Sequence, residues 1–135
     1  MLAPSVESYA LVAGVEWHLT RSYHFGQCSH VNLQETCALN YEFKDLATRS
    51  RSHVRIRSVN FSDSRVVCGA RGKGRSSSLA MNGILRSSMA YQICGRAHMS
   101  NFWVSAKMNP ADDPTRGKPV RSAVPLPRWA RPFLR

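Results

Sequence analysis

At 135 residues and 43% hydrophobic content, the chain is long enough for one domain with a modest core and is not composed like a disordered protein. Its formal net charge is +11, mostly from arginine, a planar fork for phosphate oxygens, so the expected partner is a polyanion, nucleic acid ahead of an anionic membrane surface. No apolar run approaches the ~20 residues that span a bilayer, and the four cysteines form no CxxC pair.

The N-terminus has no basic region followed by an apolar core, so secretion is not indicated. We expect reduced thiols and an intracellular setting, cytoplasmic or nuclear. Tyr9–Ala13 is a short strand or a helical turn, which periodicity alone does not decide. His18–Phe25 alternates well enough for a strand ended by Gly26. Asn32 followed three residues later by Glu35 has the spacing of a capping box, and residues 32–49 read as a helix.

The period-two alternation of Val54 and Ile56 with Arg55 and Arg57 predicts a strand over 53–62. Asp63 stands at its end, where open α/β sheets place their chemistry; its simpler role is to cap a short helix over 65–71. Gly72 and Gly74 around Lys73 mark a turn, and Ser76–Ser78 offer a cap for a helix running from Leu79 to Ile93 and ended by Gly95. On that helix Leu79, Met81, Ile84, Leu85, Met89 and Ile93 form one apolar side. Met99–Ala106, with Phe102, Trp103 and Val104, reads as a buried strand. Six of seven prolines lie from Pro110 onward and no acid follows Asp113, so 118–135 is expected to be a basic, proline-rich tail, extended or disordered, with Trp129 and Phe133 as stacking groups.

Three islands stand in order: His30-Val-Asn-Leu-Gln-Glu35, Asp63-Ser-Arg-Val with Lys73-Gly-Arg-Ser-Ser-Ser78, and Asn109-Pro-Ala-Asp112-Asp-Pro-Thr-Arg116. Together they resemble the ribonuclease H domain that follows the reverse transcriptase of certain retrotransposons. That family shows a His-Ile-Asn-x-x-Glu helix start, an Asp-Ser strand end, a Lys-Gly-Arg-Ser-Ser-Ser turn and a closing Asn-x-Ala-Asp-x-Pro-Ser-Arg. The resemblance spans residues 17–117 and implies an α/β, ribonuclease H-like domain over 1–117, a mixed sheet flanked by helices.

The implied activity is cleavage of the RNA strand of an RNA–DNA hybrid by two-metal hydrolysis, with two Mg²⁺ ions about 4 Å apart. By the same resemblance Glu35, Asp63 and Asp112 are catalytic and metal-ligating carboxylates, Asp113 being an alternative to Asp112. Arg55, Arg57, Lys73, Arg75 and Ser76 are expected to contact nucleic acid, with Arg65 and Arg71 in the same basic cluster.

The chain departs from the family at its start. The family's site opens with an aspartate on the first strand, whereas here no aspartate precedes Asp45 and the earlier acids are Glu7 and Glu16. Only 34 residues precede Glu35, which implies truncated N-terminal strands and a fragment or decayed copy of a polyprotein domain. A non-catalytic basic nucleic-acid-binding module therefore stands beside the nuclease, since it needs only charge and aromatics such as Trp103 and Trp129. His24, Cys28, His30 and Cys37 are suitable zinc ligands, but their spacing matches no common finger.

Overall fold

A computed structural model of the chain describes residues 6–27, 29–49, 55–94 and 97–133. The chain is α/β. In order it forms helices α1 (Val6–Gly14) and α2 (Val31–Arg49), strand β1 (Ile56–Ser62), helices α3 (Arg65–Lys73), α4 (Leu79–Ser87) and α5 (Met89–Cys94), strand β2 (Ala97–Trp103) and a short α6 (Asp112–Thr115). Single 3₁₀ turns occupy Ala106–Met108 and Arg131–Phe133. The two strands pair in one small sheet. Contacts between residues 58 and 98, 60 and 101, and 62 and 104 climb together, so the pairing is parallel. Parallel strands need a long crossover, which α3, α4 and α5 supply.

The chain gathers into two compact units. One comprises Phe25–Asn60 and Ser64–Asn101; the other comprises Met1–His24, Phe61–Asp63 and Phe102–Arg135.

The helical unit is built by caps that the sequence announces. Ser64 caps α3 by accepting the Val67 amide, and Gly74 ends it at φ 67°, a left-handed conformation that glycine takes at no steric cost. Ser78 caps α4 through the Met81 amide. Its apolar core is Leu39 and Phe43 of α2, Val67 and Ala70 of α3, and Met81 and Leu85 of α4, with Ala97 of β2 also buried.

Through this core runs a polar strut. Arg71 on α3 donates from Nη1 to Asn40 Oδ1 at 2.5 Å and to Ser88 Oγ at 3.1 Å, and its guanidinium lies 5.5 Å from the centre of the Phe43 ring. Asn40 Nδ2 in turn donates to the Ile84 carbonyl at 2.5 Å and to Ser87 Oγ at 3.0 Å. Burial lowers the Arg71 pKa from its ordinary value.

The expected helix over 79–93 is two helices. Ser88, almost fully buried, turns its hydroxyl to the Leu85 carbonyl and accepts from Arg71, and α4 ends there. The break rotates α5 away from the α4 stripe: Met81 and Leu85 of α4 are buried, whereas Met89 and Ile93 of α5 are 50% and 77% exposed. Gly95, the expected helix stop, lies outside the described residues, as do His53 and Val54 at the start of the expected first strand.

The second unit holds α1, which resolves Tyr9–Ala13 as helix. The strand expected over His18–Phe25 is not formed: these residues are irregular and exposed, and a segment without a pairing strand has no ladder to join. Trp17 Nε1 donates to the Val12 carbonyl at 2.8 Å, and its ring meets Phe61 edge-on at 6.2 Å. Phe61 also packs against Phe102, 6.0 Å away. Phe102 remains 44% exposed, so the expected buried strand is buried chiefly at Val104, just beyond its end.

Residues 118–127, expected as an extended or disordered tail, run without helix or strand and dock on α1: the Val124 amide donates to the Ala13 carbonyl at 2.8 Å. Ala130 beyond them is fully buried, whereas Trp129 is 45% exposed and the Phe133 side chain lies outside the description. Gly14 is the close approach in this packing. A Cβ built there would sit 2.2 Å from Leu126 Cδ2 and 2.7 Å from its Cγ.

Three outcomes follow in urea denaturation. Arg71→Met keeps the stem but strands Asn40 Oδ1 without its donor and leaves Ser88 Oγ only the longer bond from Gln92, and is expected to cost about 2 kcal/mol. Arg49→Met, which breaks only the exposed pair with Asp45 at 2.7 Å, is expected to cost under about 0.5 kcal/mol. Gly14→Ala is expected to destabilise the second unit by about 1 kcal/mol or more, a loss that Leu126→Ala, by clearing the space, should partly cancel in a double-mutant cycle.

Candidate functional site

Each predicted carboxylate has a definite place. Glu35 lies inside α2, not at its cap. The helix starts one residue before Asn32, and His30 does the capping: its ring Nδ1 accepts the Asn32 amide at 3.2 Å and its carbonyl accepts the Leu33 amide at 2.9 Å. The expected capping box is therefore not formed, and no acid stands in the first turn of α2. Glu35 Oε2 is buried and has no hydrogen-bond partner among the described residues.

Asp63 likewise does not cap α3, because Ser64 does. It follows the last residue of β1 in the second unit, half-buried, and its carbonyl accepts from Trp103 Nε1 at 2.9 Å. Trp103 is thus tied by its indole rather than offered for stacking.

Asp112 opens α6, and Arg116 one turn on donates to its Oδ2 at 3.0 Å, an exposed pairing that water and salt weaken. Asp113 is held more firmly. Arg121 grips both of its oxygens, with Nε at 2.7 Å and Nη2 at 2.8 Å, and donates its own amide at 3.1 Å. The same guanidinium reaches the Lys107 carbonyl at 2.8 Å and the Asn109 carbonyl at 3.2 Å. The Arg121 hydrogen bond holds the Asp113 carboxyl below its ordinary pKa, and the carboxylate raises Arg121. Asp113 is a structural clasp; of the two neighbours, Asp112 is the more available ligand.

A carboxylate oxygen on Glu35 without a partner among the described residues and half-buried carboxylates at Asp63 and Asp112 are hard donors of the kind Mg²⁺ takes. Among the described residues, no group of three His, Cys, Asp or Glu side chains is assembled to hold a metal. His24 and His30 are exposed, Cys37 is partly buried and Cys28 lies outside the described residues, so the zinc set gains no support.

The basic residues gather more clearly. In the helical unit, a concave groove of about 580 Å³ is lined by Arg65, Gly69, Lys73, Arg75, Ser76 and Ser77, with Val66 and Ala70 as its apolar floor. Three of the five residues expected to contact nucleic acid thus meet here. Among the described residues no ion pair engages Lys73 or Arg75. Arg55 and Arg57 are exposed at the start of β1 but do not line the groove. Arg71, expected in the same cluster, instead points into the core.

The groove is shaped by the turn. Asn82 mimics a strand partner for Ser76, accepting its amide at 2.7 Å and donating to its carbonyl at 2.7 Å. Ser76 Oγ accepts the Ser78 amide at 3.2 Å. The sequence carries a signal for this site: from Ser64 to Ala111 there is no acidic residue, so nothing along that stretch neutralises its arginines and lysines.

No known protein family, curated protein or solved structure matches the chain.

All three tryptophans, Trp17, Trp103 and Trp129, lie in the second unit, so their fluorescence reports it alone. A carboxyl depressed in the folded state contributes stability above its unfolded pKa, near 4, and loses it as pH falls through the folded value. Acid titration below about pH 4 should therefore lower the stability of this unit. Asp113→Asn should lower its stability at pH 7 and flatten the acid dependence.

Proposed function

We propose that the chain is a ribonuclease H-like domain of a retroelement polyprotein that binds RNA–DNA hybrid duplex through the Arg65–Ser77 groove. The observation that carries this reading is the convergence of Arg65, Lys73 and Arg75 with two serine hydroxyls on one concave surface with no acidic residue in its lining. Such a surface suits the phosphate oxygens of a backbone. Cations supply affinity without sequence choice, hydroxyls add short polar contacts, and binding falls steeply with salt.

The ordered resemblance of residues 17–117 adds the nature of the polyanion, a hybrid duplex, and the chemistry. Glu35, Asp63 and Asp112 would hold Mg²⁺, which when bound supplies an activated water and stabilises the leaving oxygen. The chain's own contribution is to position and orient: the groove holds the duplex backbone. The release of Glu35 and Asp63 from helix capping supports their assignment to this role, since the competing explanation for each was a cap.

A second reading, a binding module that does not cut, is favoured by one observation: among the described residues no three-ligand metal group is assembled.

Cleavage of an end-labelled RNA–DNA hybrid with and without Mg²⁺, beside Asp63→Asn, separates the two. Mg²⁺-dependent cutting lost in the variant establishes the nuclease, and binding without cutting establishes the module. In either case, converting Arg65, Lys73 and Arg75 together to alanine should weaken hybrid binding by at least about tenfold at 100 mM salt and flatten the log-affinity against log-salt plot by about 2 to 3. Unchanged affinity in that variant would overturn the groove as the interface.

A further inference from the structure

Three consecutive serines follow the basic turn, and the structure gives them different duties. Ser76 is fixed by Asn82 at both backbone groups, and its hydroxyl accepts the Ser78 amide. The Ser78 hydroxyl is spent on the α4 cap. Ser77 makes no hydrogen bond among the described residues, is exposed, and lines the groove beside Arg65, Lys73 and Arg75. Its hydroxyl stands behind a cationic run, Arg71-Gly-Lys-Gly-Arg75, in which Lys73 and Arg75 are exposed.

We propose that Ser77 is a phosphorylation site for a protein kinase that reads cationic residues preceding its acceptor, and that the phosphoryl group docks on the cations of its own groove. In the transfer, Ser77 Oγ forms a bond to the γ-phosphorus of ATP while the bond from that phosphorus to the β–γ bridging oxygen breaks. ADP leaves, and the hydroxyl proton passes to the kinase's base. The product carries about −1.5 to −2 charges at neutral pH and three strong acceptor oxygens. Placed among Arg65, Lys73 and Arg75, it forms charge-assisted hydrogen bonds and cancels most of the groove's charge. A groove so filled competes with a nucleic-acid backbone for the same donors. This last consequence rests on the function proposed above; the modification and its docking do not.

The test treats the full chain with an arginine-directed serine/threonine kinase and MgATP, maps the phosphate by peptide mass, and follows its ionisation by ³¹P NMR. A phosphorylated peptide of residues 71–80 serves as reference. We expect one phosphate on Ser77, absent in Ser77→Ala, whose second pKa falls below the peptide's value of about 6 because the groove cations favour the dianion. Arg65→Ala should move that pKa back toward the peptide's; Arg65 is remote in sequence from the acceptor, so kinase recognition is preserved.

Hybrid affinity of the phosphorylated chain should drop about tenfold. Phosphate on Ser76 or Ser78, or none on a chain whose peptide is modified, would overturn the site. Titration identical to the peptide's would overturn the docking. If the unmodified chain binds no hybrid, the function proposed above falls, while the phosphate position and its pKa still decide this inference.

Discussion

The helical unit depends on one half-buried guanidinium. Arg71 must find donors' partners for its charge away from water, and it finds them in the Asn40 carboxamide, the Ser88 hydroxyl and the face of the Phe43 ring. Those three come from α2 and from the α4–α5 junction, so one side chain of α3 fixes the neighbouring helices at once. An apolar residue there would pack α3 with less angular definition, because dispersion is not directional and a guanidinium fork is. With Arg71 turned inward, the rotation of α3 about its axis is set. Lys73, two residues on, must then face another direction, and Gly74 turns the chain so that Arg75 and the serines close the groove.

The same constraint explains what the sequence disclosed and what it concealed. Caps and turns are local, and Ser64, Gly74 and Ser78 were legible because each needs only its neighbours within four residues. The strand from Ile56 was legible from its alternation, and it forms because β2 offers it a ladder. The break between α4 and α5 was not, since Ser88 ends the helix through a bond from Arg71, seventeen residues upstream. Arg71 itself looked like one more surface cation among Arg65, Lys73 and Arg75, and nothing in a list of charges distinguishes an inward arginine. The false strand at His18–Phe25 shows the converse error: alternation was present, but a strand exists only when another offers it a ladder.

The candidate site was legible in part. The basic turn assembled as expected, while Arg55 and Arg57 stand apart from it. For Glu35 and Asp63, competition between a capping role and a site role was undecidable from spacing, and a shift of one or two residues in each cap removes the capping role: His30 and Ser64 take the helix starts. Asp112 and Asp113 were indistinguishable in sequence until Arg121, eight residues beyond Asp113, was seen to clasp it. Each case turns on a partner that lies beyond the local motif.

The central claim is that the surface between Arg65 and Ser78 meets nucleic acid. The most direct measurement is an amide NMR titration of the isotopically labelled chain with a short RNA–DNA hybrid at two salt concentrations. The account predicts shifts concentrated at residues 65–78, including the Asn82 side-chain amide that braces the turn, and shrinking as salt rises. Shifts confined to the basic segment 118–133, or none at 65–78 when the hybrid is bound, would contradict it.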